Sequence, residues 1–344
     1  SFDYTVSDGF GGQDTETVTL TVLAASNTTS ETREFDDGRI LVTEFVDGVR
    51  TTATMTDAAD ARPWTSYTDT FDENGDRSAR VQIYDDGRVA EISYSAGVRS
   101  ESVVTDVADA FVWTTIEREF DASNQRSQQI KTFDDGRILE TEFVNGIRTT
   151  AVMVDAADAR PWTNYIDTFD ENGDRSTRFQ TFDDGRILEI QYAGGVRTTA
   201  TMTDAADARP WTSYTDTFDE NGDRSARVQT YDDGRVAEIS YSAGVRSQSV
   251  ITDIEDAFVW TTIEREFDES NQRSQQIKTF DDGRILETEF IDGVRATATM
   301  RDEADVRPWT RYDDSFDESG TRVSRVTTFD DGSVVVQDFA DEFA

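Results

Sequence analysis

Apolar and polar residues alternate with period two along most of this chain. In Gly136–Val144, Leu139, Thr141 and Phe143 fall on one face while Ile138, Glu140 and Glu142 fall on the other, the pattern of a strand with one wet side. Asn145-Gly146, like Asp47-Gly48 and Asp292-Gly293, predicts a two-residue hairpin turn, because both turn positions want positive φ. The strand after Gly48, running to Asp57, puts Val49, Thr51, Ala53 and Met55 inward and Arg50, Thr52, Thr54 and Thr56 outward. Residues 58–63 break the alternation, and Pro63 cannot donate to a ladder; a loop or one short helical turn is expected there. A third strand spans Trp64–Asp72, with Tyr67 and Phe71 on one face. Glu73-Asn74-Gly75-Asp76 turns it, and a fourth strand, Arg77–Tyr84, carries Ala79, Val81 and Ile83 together. Asp85-Asp86-Gly87 is the next tight turn, and the pattern starts again.

The restart is strictly periodic. The glycine of the Asp-Asp-Gly turn falls at Gly38, Gly87, Gly136, Gly185, Gly234, Gly283 and Gly332, each 49 residues after the last, and all 6 tryptophans keep the same step. A period of 147 lies on top: residues 50–99 and 197–246 differ only at Ile83 against Thr230. Repeats of the Ala-Arg-Pro-Trp type (Trp64, Trp162, Trp211, and Trp309 with Val306 in place of the alanine) alternate with repeats reading Ala-Phe-Val-Trp (Trp113, Trp260). A fixed period of this kind specifies a repeat architecture. The fold expected is all-β, made of tandem antiparallel hairpin repeats with four strands each, stacked into an elongated spiral or solenoid. A seven-bladed propeller is the alternative. Propeller blades are apolar on both faces, whereas these strands show Glu, Thr and Arg on one side. The expected boundaries are 1–26 for the end of a preceding domain, 27–34 for a linker, and 35–344 for the repeat array.

Composition then narrows the chemistry. The net charge is −38, with 71 acidic residues against 33 basic ones. Nucleic acid and anionic membranes both need Lys and Arg to neutralise them, so neither is expected as a partner; counter-ions, divalent cations in particular, are. Lys131 and Lys278 are the only lysines, so nearly all positive charge is arginine, which clasps carboxylates in two-pronged fashion. The chain has no cysteine and no histidine. That removes disulfides, thiolate metal sites and the usual general base together. No stretch approaches the roughly 18 apolar residues of a membrane helix, and no signal peptide opens the sequence, whose first residues read as the middle of something larger.

Two stretches carry resemblances. Phe218-Asp219 with Gly222, and Tyr231-Asp232 with Gly234-Arg235, are similar to the YD, or RHS, repeats of bacterial surface and toxin-shell proteins. Residues 1–26, through Tyr4-Thr-Val-Ser-Asp-Gly9, Gly11-Gly12 and the alternating Thr15–Val22, resemble the last two strands of a cadherin-like or VCBS-type immunoglobulin-fold domain. Such domains are strung along giant bacterial adhesins, many exported with RTX-type signals. The resemblance implies a secreted or cell-surface location, as part of a longer chain.

Candidate sites remain. Asp72-Glu-Asn74-Gly-Asp76, Asp170-Glu-Asn172-Gly-Asp174 and Asp219-Glu-Asn221-Gly-Asp223 place oxygens at alternate positions, as a hard cation such as calcium prefers. The same spacing suits an ordinary hairpin turn, and 121–125 and 268–272 lack the final carboxylate. Asp85-Asp86 and Asp232-Asp233 offer the paired carboxylates of a glycosidase, but seven copies in tight turns point to turn chemistry. No catalytic residue and no cofactor beyond calcium is expected. Rows of Arg39-type and Arg50-type residues beside rows of Asp would relieve charge repulsion. Each Trp reads as the anchor of a thin core, or else as a ring offered to polysaccharide. The function expected is that of a spacer in an adhesin or biofilm-matrix protein, associating with itself or its neighbouring domains. A carbohydrate-binding module and an RHS-like shell are the alternatives.

Overall fold

The computed structural model describes residues 2–7, 10, 11, 13–18 and 27–339. Among them every regular element is a strand. The chain divides into two compact bodies, Ser1–Gln125 and Arg126–Ala344.

The first body opens with a hairpin of β1 (Phe2–Ser7) and β2 (Gln13–Val18), paired from Phe2 opposite Val18 to Ser7 opposite Gln13. Asp8, Gly9, Gly12 and 19–26 lie outside the described residues, and with them much of the cadherin-like reading. A separate ladder follows: β3 (Thr28–Glu34), β4 (Arg39–Val46), β5 (Val49–Asp57), β6 (Trp64–Phe71), β7 (Arg77–Tyr84), β8 (Arg88–Ser95), β9 (Val98–Asp106) and β10 (Trp113–Phe120). Strand β3 occupies the span read as a linker. It pairs with β4 through seven registers, and all its residues are exposed.

The second body continues the cycle with β11 (Arg126–Phe133), β12 (Arg137–Val144), β13 (Ile147–Asp155), β14 (Trp162–Phe169), β15 (Arg175–Phe182), β16 (Arg186–Ala193), β17 (Val196–Asp204), β18 (Trp211–Phe218), β19 (Arg224–Tyr231) and β20 (Arg235–Ser242). It ends with β21 (Val245–Asp253), β22 (Trp260–Phe267), β23 (Arg273–Phe280), β24 (Arg284–Ile291), β25 (Val294–Asp302), β26 (Trp309–Phe316), β27 (Arg322–Phe329) and β28 (Val334–Asp338). Within this body each strand pairs antiparallel with its neighbours in sequence, and pairing runs straight through the Asp-Asp-Gly turns, as from β15 to β16 and from β19 to β20. Blades would be separated at those turns. The structure therefore replaces the propeller alternative with a continuous, solenoid-like tandem repeat; within this body no register joins β28 back to β11 among the described residues.

Turn chemistry sets the meander. The two-residue turns have positive φ at both positions, 51° and 83° at Asp47-Gly48 and 52° and 77° at Asn145-Gly146. This primed geometry matches the right-handed twist of the strands it joins. The Asp-Asp-Gly turns close differently: the Gly136 N–H donates to Phe133 O at 3.0 Å while Gly136 adopts φ 81°. Residues 58–63 form no helical turn. Asp60 adopts φ 55° there, and the Arg62 N–H donates to Asp57 Oδ2 at 2.6 Å.

Burial follows the predicted face in β5 at Ala53 and Met55, each 5% exposed, but not at Val49, which is 39% exposed because it lies beyond a bulge that skips Thr51. It departs from prediction in the fourth strand of the repeat. Val81 and Ile83 are each 43% exposed, while Arg80 and Gln82 lie opposite Asp69 and Tyr67. The cause is a bulge: Thr70 pairs with Ala79, but Phe71 pairs with Arg77, so Ser78 is skipped. One extra residue in a strand moves its whole side-chain set to the other face.

Candidate functional site

The most protected line of the sheet crosses it strand by strand. In the second body the registers join Ala151 to Asp167, Asp167 to Arg178, Arg178 to Ile190, Ile190 to Ala200, Ala200 to Asp216, and Asp216 to Arg227. Asp167 is 3% exposed and Asp216 4%. A carboxylate buried to that degree must be compensated. Two arginines do so: Arg227 donates from Nε and Nη2 to the two oxygens of Asp216 at 2.7 and 2.8 Å, and Arg224 Nε stands 3.1 Å from Oδ1. The Arg227 guanidinium lies 3.9 Å over the Tyr214 ring. Its hydrogen bond to Asp216 raises its pKa against the opposing effect of burial. Asp69 with Arg80 and Arg77, Asp167 with Arg178 and Arg175, and Asp314 with Arg325 and Arg322 repeat this clamp. Alternation alone did not reveal it. The available signal was Asp69 between Tyr67 and Phe71 on one face, which only the bulged register connects to Arg80.

The arginine rows expected from the sequence separate into two roles. Arg39 and its equivalents pair with the second Asp of their own turn, as Arg88 does with Asp86 at 2.7 Å. That hydrogen bond holds Asp86 below the ordinary carboxylate range, as Arg235 holds Asp233. Arg50 and its equivalents stack on aromatic rings: Arg50 on Phe71 at 4.0 Å, Arg197 on Phe218 at 5.0 Å.

The tryptophans sit inside the sheet surface. Trp113 and Trp260 are 7% exposed, and Trp260 stacks on Phe258 with centroids 5.4 Å apart. Trp64, Trp162, Trp211 and Trp309 are half-buried and meet Tyr67, Tyr165, Tyr214 and Tyr312 at steeper angles.

Each calcium candidate is built as a turn. Asp72 Oδ1 accepts the Asn74 and Asp76 N–H groups at 2.9 Å each, and the Gly75 N–H donates to Asp72 O at 3.0 Å. Asp170 with Asn172 and Asp174, and Asp219 with Asn221 and Asp223, repeat these bonds. Asp121 and Asp268 hold the same turn over Ser123 and Gln125, and over Ser270 and Gln272. The fold of the turn therefore does not depend on the final carboxylate. Among the described residues no three carboxylates are gathered as a metal-holding group.

No protein-family model matches the chain, and no curated protein is significantly similar to it.

Proposed function

We propose that the chain is a structural repeat segment, a stalk or filament section of a secreted bacterial surface adhesin or biofilm-matrix protein that acts as a spacer. The observation that carries this reading is the internal use of the strongest chemistry. Asp69, Asp167, Asp216 and Asp314 are engaged by arginines of the adjacent strand, and Asp57, Asp155, Asp204 and Asp302 by backbone N–H groups of the loop that follows each; most arginines lie on aromatic rings or bind their own turns, and the tryptophans sit in the sheet surface. Half-buried tryptophans favour a spacer over a polysaccharide-binding module. The RTX-type export and adhesin setting rest on the resemblance at 1–26.

A spacer transmits reach without chemistry, and in a repeat array each repeat contacts mainly its neighbours. Strands about 4.8 Å apart would advance about 19 Å per four-stranded repeat. Chains carrying three, six and nine repeats, measured by small-angle scattering, are expected to gain equal increments of maximum dimension. A dimension that hardly grows with repeat number would refute the spacer reading.

A further inference from the structure

One repeat of the second body lacks its carboxylate. At the position of Asp216 stands Arg265 on β22, and at the position of Arg227 stands Gln276 on β23; the register pairs them as it pairs Asp216 with Arg227. Two guanidiniums still converge, now on a neutral oxygen: Arg265 Nε donates to Gln276 Oε1 at 3.2 Å and Arg273 Nη1 donates to it at 3.1 Å. A third, Arg246, lies 3.8 Å over the Phe267 ring, and its Nε reaches Asn271 Oδ1 at 3.3 Å. None of the three makes an ion pair among the described residues. Ser249, opposite Arg265 in the register, is 4% exposed, and its Oγ has no hydrogen-bond partner.

We propose that Arg246, Arg265, Arg273 and Ser249 form a binding site for a small oxoanion, a carboxylate or a phosphate, which supplies the compensating negative charge that the aspartate carboxylate supplies in the neighbouring repeats. The physical reason is compensation. Like charges crowded in a partly dry site repel one another, and hydrogen bonds from guanidinium to an oxoanion are among the strong ones. Burial lowers the pKa of Arg265, and the charges of Arg273 and Arg246 lower it further; a bound anion would reverse the second effect. Arg246 and Phe267 line an open groove of about 340 Å³, so the cluster meets solvent at its Arg246 end. Asp268 and Glu269 also line that groove. The carboxylate of Asp268 is engaged by the N–H groups of Ser270 and Gln272, whereas the charge of Glu269 opposes an incoming anion and weakens the site.

The test uses the full chain and modification of arginine by phenylglyoxal, read by peptide mass spectrometry. The peptide following Arg265 carries Glu269 where its counterpart 147 residues earlier carries Ala122, so the site is read individually. With inorganic phosphate or acetate in place of chloride at equal ionic strength, modification of Arg265 is expected to slow about fivefold at an anion concentration about four times Kd. Protection by acetate alone identifies a carboxylate site, by phosphate alone a phosphate site, and by both a general oxoanion site. Equal rates in all three salts would overturn the proposal. The double variant Arg265→Asp with Gln276→Arg rebuilds the internal clamp and is expected to fold; in it, anion protection of Arg246 should vanish. Undiminished protection of Arg246 in that variant would also overturn the proposal.

Discussion

At the scale of single residues, backbone conformation limits what the turns accept. Gly136 has φ 81°, and a methyl group there would come within 2.6 Å of Ala157 Cβ. Both effects oppose a side chain: positive φ is strained for an L-residue, and the Ala157 methyl is fixed to backbone. Gly136→Val is expected to cost more than about 2 kcal/mol, read from urea midpoints. Gly234→Val should cost somewhat less, because Cγ and Cδ of Glu255 can swing away and its backbone-fixed Cβ, at 2.8 Å, stands farther off than the Ala157 methyl. Equal costs would show that strain, shared by both positions at φ 81° and 80°, dominates over crowding, and the reverse order would contradict the crowding account. Ala243 presents the opposite case. It holds φ 50° in a two-residue turn, where its equivalents are Asp47, Asn145 and Asp292. Asparagine tolerates that conformation better than alanine. Ala243→Asn should therefore stabilise the chain by up to about 1 kcal/mol, seen as a higher Tm. An unchanged or lower Tm would contradict this account of the turn.

At the scale of strands, the clamp between β18 and β19 holds the row together. Removing the carboxylate leaves Arg224 and Arg227 half-buried without a counter-charge, and breaking a buried ion pair costs about 3–5 kcal/mol. Asp216→Ala is expected to lose an amount near the lower end of that range, because Arg224 and Arg227 are 37% and 20% exposed in their side chains. Asp69→Ala should lose the same amount, since residues 50–99 and 197–246 differ at one position only. Denaturation of the two variants side by side checks this. Unequal losses would mean that the clamp depends on more than its own repeat.

At the scale of the whole molecule, charge is the main global stress. A net charge of −38 disfavours compact states through self-repulsion, and the arginines offset it only locally. Divalent cations should therefore raise Tm and a chelator should lower it, whether they occupy Asp72, Asn74 and Asp76 and their equivalents or act as a diffuse atmosphere. Scanning calorimetry in calcium and in chelator at matched ionic strength checks this, and coincident curves would remove calcium from the account. Substituting Asp76, Asp174 and Asp223 by Asn separates the two cases: the calcium increment disappears if those turns hold the ion and persists if the atmosphere does.

Period-two alternation, the primed turns at Asp47-Gly48 and Asn145-Gly146 and the 49-residue step determined the strands, their order and their antiparallel sense, because each depends on residues close together in the chain. Whether neighbouring repeats share one ladder or part into blades was decided by pairing across the Asp-Asp-Gly turns, which a strand signal on either side does not specify. The strand within the span read as a linker, 27–34, was hidden for a related reason: the exposed polar residues of β3 have no alternation to show, and only pairing with β4 makes them a strand. The identity of the protected face in the fourth strand was likewise a tertiary matter. The bulge at Thr70 and Phe71 shifts register by one residue, and with period two that single step exchanges Val81 for Arg80 on the protected side. The Asp69–Arg80 clamp, and the arginine cluster at Arg265 where its carboxylate is missing, exist only because of that exchange.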